Sequence, residues 1–302
     1  MKTNAIIRII LFSLAILILL GILLIGLGAG YLVTNAEKVS ESLISNLIND
    51  YDTGKDFWDN FSSGDIIDKT ASVYAGDIRD ISIDWVSGSI TIMPGKDDKI
   101  TISESQVSSD KYKLIWKKSG DKLVIQYCEA NWDFLGINLG TDLSKDLVIS
   151  VPKDWICDSL EIDTASARVE IYDLSIHEMD FDGASGSCYF DNCIVDEIDL
   201  DTASGDVNFT GTLNILDCDA ASASINLVVT NIPKRIDIDT ASGDLDLTLP
   251  ENCGFSVSLD TMSGDFSSDF PTVMTAGNYL HGDGTCRINI SAMSGDVIIR
   301  KG

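Results

Sequence analysis

Ile198-Asp-Leu-Asp-Thr-Ala-Ser-Gly-Asp-Val-Asn-Phe209 carries the pattern from which the rest of the chain is read. Apolar Ile198, Leu200, Val207 and Phe209 alternate with polar residues on both sides of a Thr-Ala-Ser-Gly corner. Alternation with period two marks strands that bury one face. Gly tolerates positive φ and Ser bonds to nearby backbone, so the pair suits a tight turn. The stretch therefore reads as strand, corner, strand.

Seven other segments repeat it: IDWVSGSITI from Ile83, IDTASARVEI from Ile162, FDGASGSCYF from Phe181, CDAASASINL from Cys218, IDTASGDLDL from Ile238, LDTMSGDFSS from Leu259 and ISAMSGDVII from Ile290. The second position falls at 84, 163, 182, 201, 219, 239, 260 and 291, and steps between 163 and 260 are 18 to 21 residues. Such a period suits one coil of a β-solenoid with about three short strands, stacked at ~4.8 Å so that equivalent side chains form ladders. The predicted fold class is all-β: a repeat-built, β-helix-like solenoid. Between Ile92 and Ile162 the pattern lapses into irregular β-structure, spanning 93–161, which is expected to cap one end of the stack. The last strand, running into Arg300 and Lys301, is expected to form the other end, its charges discouraging edge pairing.

ITIMPGKDDKI, LVISVP and the recurring DTASGD resemble the bacterial "putative adhesin" family of β-strand repeats, a domain of unknown function of the 4097 type, over about residues 73 to 302. The resemblance implies a right-handed solenoid-like β domain, often carried by membrane proteins of Gram-positive bacteria and sometimes linked to envelope-stress regulation. It brings no established catalytic or binding residue to carry over.

Ahead of the repeats, residues 9–36 hold no charge, and Ile9 to Leu27 is almost wholly Ile, Leu, Phe, Ala and Gly. The expectation is a transmembrane helix over 9–33, since about 20 apolar residues cross a bilayer. Lys2 and Arg8 precede it and acidic residues dominate beyond it, which places the 1–8 tail in the cytoplasm and the 73–302 domain outside a cell membrane crossed once. The alternative is a cleaved signal peptide ending near Gly28-Ala29-Gly30. Gly26 and Gly30 have the spacing of a helix-packing motif, at the edge of the span. Within 34–72, Val39, Leu43, Ile44, Leu47, Ile48 and Tyr51 predict a short amphipathic helix, followed by a linker in which Phe57, Trp58 and Phe61 alternate with acids.

The 21 Lys and Arg against 47 Asp and Glu, a net charge of −26, argue against nucleic acid as a partner. Seven cysteines at 128, 157, 188, 193, 218, 253 and 286 make no CxxC pair, and in repeat register Cys188 and Cys218 replace residues such as Val207 and Leu200, as small buried hydrophobes would. Cys188 and Cys193 lack a His at zinc spacing.

No enzyme is expected. The corner serines recur in nearly every unit without the G-x-S-x-G context, and His177 and His281 occupy unrelated positions, His281 reading as a loop residue. The feature with chemistry is the acid ladders, Asp163, Asp182, Asp201, Asp219, Asp239 and Asp260, and beyond the corner Asp206, Asp244, Asp265 and Asp296. Stacked carboxylates repel, so they must be wet, bonded to backbone amides or bridged by cations. Calcium takes oxygen ligands of this kind, which makes Asp201, Asp206, Asp239, Asp244, Asp260 and Asp265 candidate ligands, though the nonapeptide spacing of known calcium repeats is missing. No other cofactor is implied. The function expected is a non-enzymatic, membrane-anchored cell-envelope protein whose solenoid presents an adhesin-like surface to an envelope protein or glycan. The alternative is an envelope-stress sensor or regulator acting through a membrane-protein partner held by the transmembrane or juxtamembrane helix. A polysaccharide-active enzyme is third.

Overall fold

A computed structural model describes residues 65–66, 70–107, 110–128 and 144–302. The predicted transmembrane helix and the amphipathic helix lie outside the described residues. Among the described residues no helix is long and apolar enough to cross a membrane. Their helical content is two short 3-10 turns, Ala75–Asp77 and Asp110–Tyr112.

The N-terminal end is built from β1 (Asp65–Ile66), β2 (Thr70–Tyr74), β3 (Asp80–Pro94), β4 (Lys99–Ser105), β5 (Ile115–Ser119), β6 (Lys122–Gln126) and β7 (Lys145–Val151). β3 is the first coil, parallel to β6 and β7 on one side. The antiparallel pairs β2–β4, β4–β7, β5–β6 and β1–β5 fold over that side. Antiparallel pairing there supplies partners for backbone groups that another coil would otherwise have to meet.

The stack continues through β8 (Ile156–Tyr172), β9 (Ser175–Ser185), β10 (Cys188–Ser204), β11 (Val207–Ser222), β12 (Ile225–Val229), β13 (Arg235–Ser242) and β14 (Leu245–Leu249). Every neighbouring pair among them is parallel and in repeat register: Asp84 pairs with Asp163, Asp163 with Asp182, Asp182 with Asp201, Asp201 with Asp219 and Asp219 with Asp239. Inward side chains form apolar ladders. One runs Ile162, Phe181, Leu200, Cys218, Ile238, and another Ile171, Phe190, Phe209, Leu227, Leu247. Cys188 stands between Val169 and Val207, so the thiol takes an apolar rung, as the repeat alignment implies. The three short strands expected per coil run together: β10 alone, Cys188–Ser204, spans nearly a whole coil, as does β11. In β10 the alternation reverses at Asp196 and Glu197, both outward, so the strand bends without losing its pairing.

At the C-terminal end the chain departs from the order of its sequence. β15 (Phe255–Ser263), β16 (Phe266–Ser268), β17 (Val273–Thr275) and β18 (Asn278–His281) precede β19 (Cys286–Ser294) and β20 (Val297–Lys301). Yet β19 pairs with β13 on one side and β15 on the other, and β20 lies between β14 and β16. The ladder therefore runs Asp239, Ser291, Asp260. This corrects the expectation that Arg300 and Lys301 close the stack: they belong to an interior strand, and β15–β16 is the outer coil. β18 lies antiparallel on β15, with β17 beside it.

Candidate binding groove

Three corners are held by their own threonines. Thr202, Thr240 and Thr261 donate their hydroxyls to the carbonyls of Ser204, Ser242 and Ser263, at 3.2, 3.2 and 2.9 Å. The corner serines tie coil to coil: Ser185 Oγ reaches the Ala165 carbonyl at 3.5 Å and Ser263 Oγ that of Met293 at 3.3 Å. These bonds give the corner serines Ser185 and Ser263 a structural role. Gly243 adopts φ 145°, and a Cβ there would overlap the carbonyl oxygen of Ala223 in the next coil. Glycine is needed both for the backbone conformation and for the spacing between coils.

Because the corners coincide in every coil, they leave an open groove of about 780 Å³ along the stack. One side carries Asp182, Asp201, Asp219, Asp239 and Asp260, with Ser291 in the inserted rung; along the other lie Ala203, Ala221 and Ala241, then Met293 and Met262. Met262 and Met293 are 82% and 59% exposed. Two residues before the ladder, a second outward column of Glu161, Asp180, Asp199, Asp217 and Asp237 runs parallel to it. Its ion pairs lie toward the margins: Lys122 with Glu161 at 2.6 Å, and Arg235 with Asp217 and Asp237.

Crowded carboxylates in a partly dry setting hold protons more tightly. Burial, with Asp182 and Asp199 adding repulsion, raises Asp180 and Asp201 to about 6. Asp219 is raised for the same reasons, burial first and then Asp239. Asp163 is 2% exposed, and burial followed by the charges of Asp84 and Asp182 pushes it to about 9. It is hydrogen-bonded to Asp84, which also accepts from Gln126 Nε2 at 3.2 Å. Asp163 thus holds its proton well above the usual carboxyl range beside Asp84, a solution to ladder repulsion that the sequence reading did not include.

The column beyond the corner behaves differently. The amide of Asp265 donates to Asp296 Oδ1, and that of Asp296 to Asp244 Oδ1, each at 2.9 Å. These carboxylates are backbone caps between coils. The calcium candidates thus fall on two columns, Asp201, Asp239 and Asp260 beside the groove and Asp206, Asp244 and Asp265 across the corner. Among the described residues no group of three or more His, Cys, Asp or Glu is gathered to hold a metal ion.

The family model described as Toastrack DUF4097 matches residues 78–213 and again 157–300. The chain belongs to this family. Its groove, ladders and caps are thus features of a Toastrack domain, and the overlap of the two matches reflects the repeat. Similar solved structures include a "putative cell adhesion protein" from Clostridium sporogenes, 12% identical, covering 79% of this chain and 100% of that one, with a TM-score of 0.35. A "putative adhesin" from Bacteroides fragilis is 11% identical, covers 78% and 98%, and has a TM-score of 0.42. A "putative lipid binding protein" from Parabacteroides distasonis is 14% identical, covers 78% and 96%, and has a TM-score of 0.31. No curated protein matches the chain.

Elsewhere in this Toastrack chain lies a buried charge that sequence reasoning missed. Lys145 is 1% exposed in its side chain and donates to Glu104 Oε2 and the Tyr112 carbonyl, both at 2.6 Å, and to the Tyr127 carbonyl. Its ammonium also lies 4.6 Å from the Trp85 ring centre and 4.1 Å from that of Tyr127. Burial lowers its pKa, opposed by Glu104. All three ammonium donors are used, so this lysine pins the irregular strands to the first coil. Neither histidine meets a corner serine in a triad. His177 Nδ1 lies 3.2 Å from Asp158, while His281, expected in a loop, ends β18 with its ring against Phe255 and Phe270.

Proposed function

We propose that this Toastrack chain is a non-enzymatic, single-pass membrane protein of the cell envelope, with its N-terminus cytoplasmic and its solenoid outside, and that the corner groove is its binding surface. The observation that carries the reading is the groove itself: carboxylates repeat along one side while alanines and exposed methionines line the other. Such a trough favours an elongated partner, protein or glycan, with positive charge on one edge and apolar surface on the other. The uncharged run of 9–36 supports the anchor. The family and the structural bonds of the corner serines support a binding role without turnover.

The test is photo-crosslinking in cells from Asp201 and Asp239, with a second probe at Trp58 and a control at Asn226 on another face. Capture of one partner by both groove probes and not by Asn226 is expected. Groove capture should weaken between pH 7 and pH 5, since Asp180 and Asp201 take up protons near 6 and the groove loses charge. If the groove probes stay silent while Trp58 captures a membrane protein of the same cell, the binding reading fails and a regulatory complex replaces it.

A further inference from the structure

Six of the seven cysteines are buried. Cys157, Cys188, Cys193 and Cys218 lie among apolar neighbours, and burial pushes their thiols up, to about 12 for Cys157 and Cys218 and about 11 for Cys193. Such thiols behave as small hydrophobes. Cys253 and Cys286 differ because they are buried side by side: the Cys286 amide bonds to the carbonyl of Gly254, the residue next to Cys253. The influence of each thiol on the other draws Cys253 down against the effect of burial and pushes Cys286 up.

Their place in the fold gives the contact its meaning. Cys253 closes the turn after β14, its amide bonding to the Pro250 carbonyl at 2.9 Å. There the chain leaves β14 and skips a rung to reach β15. Cys286 opens β19, the strand that returns to fill the skipped rung; its amide bonds to the Gly254 carbonyl at 2.9 Å, and it stands opposite Phe255 in the ladder. The two thiols therefore lie where the outgoing and returning segments cross. The backbones are already fixed side by side, so a bond needs only that the two buried sulfurs approach to about 2.05 Å.

We propose that Cys253 and Cys286 are a disulfide-forming pair whose bond staples the interleaved C-terminal coil into the stack. The Cys253 thiolate attacks one sulfur of a small external disulfide and expels the first small thiol. The Cys286 thiolate then attacks the Cys253 sulfur of this mixed disulfide and expels the second. One external disulfide is reduced to two thiols, the two cysteines are oxidised, and their protons pass to the expelled thiolates. Both side chains are at most 0% exposed in the folded coil, so exchange proceeds before β19 enters its slot or while it is out of it. An exported domain meets an oxidant at that stage.

The full-length chain, in detergent, is unfolded, refolded with glutathione disulfide or with reductant, denatured again, alkylated and digested for mass spectrometry. The expected result after oxidative refolding is a peptide linking Cys253 to Cys286 and five alkylated cysteines in place of seven. The oxidised form should melt about 5–10 °C above the reduced one, as closing a loop of about 33 residues implies. Cys253→Ser and Cys286→Ser should each abolish both effects; where a variant fails to fold, the wild-type peptide map and melting shift decide. Seven alkylated cysteines after oxidative refolding, linkage to other cysteines, or a linked form that melts no higher than the reduced one overturns the proposal.

Discussion

Asp163 keeps its proton because it is buried between Asp84 and Asp182 in a column of acids. Its folded pKa, about 9, stands above the ordinary carboxyl value of about 4. The stability it contributes is therefore fully present below about pH 4 and is lost as pH rises across the window toward 9. Asp163→Asn, which keeps the shape and cannot ionise, should flatten the decline and stabilise the domain at pH 8 by about 1–3 kcal/mol. Thermal melts from pH 4.5 to 8.5 check this, and an unchanged slope in the variant refutes a raised Asp163. Lys145→Met should cost about 3–5 kcal/mol by stranding Glu104 and two carbonyls. The double change Lys145→Met with Glu104→Leu should recover part of that loss in a denaturant titration. The acid ladder was legible in the sequence because it recurs. Lys145 was not, because YKLIWKK and KLVIQY place lysines among strand residues and only the packing of β3, β4 and β7 shows which lysine is inside.

Among elements, the corner sets the spacing of the stack. Gly243→Ala forces a side chain into a conformation reserved for glycine and against the Ala223 carbonyl, so a loss of about 1–3 kcal/mol is expected. A midpoint within error of wild type in denaturant would show that the corner yields more than its packing implies. Strands, corners and inward positions followed from alternation and the Ser-Gly step. The rung order did not. The step from 239 to 260 matches those before it, so nothing local reveals that 260 leaves a rung open; the longer gap to 291 was the remaining hint, and it reads equally well as an insertion. Pairing between distant strands is settled by which edge is unfilled, and single-chain periodicity carries no such information.

For the whole molecule, interleaving predicts an inverted result from truncation. Ending the chain after Leu249 removes both terminal coils and leaves one edge, that of β13 and β14. Ending it after Thr285 removes only β19 and β20, yet it strands β15 and β16 without their parallel neighbour and uncovers Val257 and Phe266. The shorter chain should therefore be the more soluble and should melt more sharply, measured by size-exclusion chromatography and calorimetry. Equal behaviour of the two would mean that β15 docks on β13 unaided.

The same interleaving sets a timetable for a chain made from its N-terminus onward. Coils through β14 can join the growing pile as they emerge, each finding its predecessor in place. The outer coil emerges next and must wait, because the rung that joins it to the rest, β19 and β20, follows it in the chain. Completion of the stack is thereby tied to β19 and β20: a chain arrested or clipped before them keeps β15 and β16 as a loose flap without a parallel neighbour.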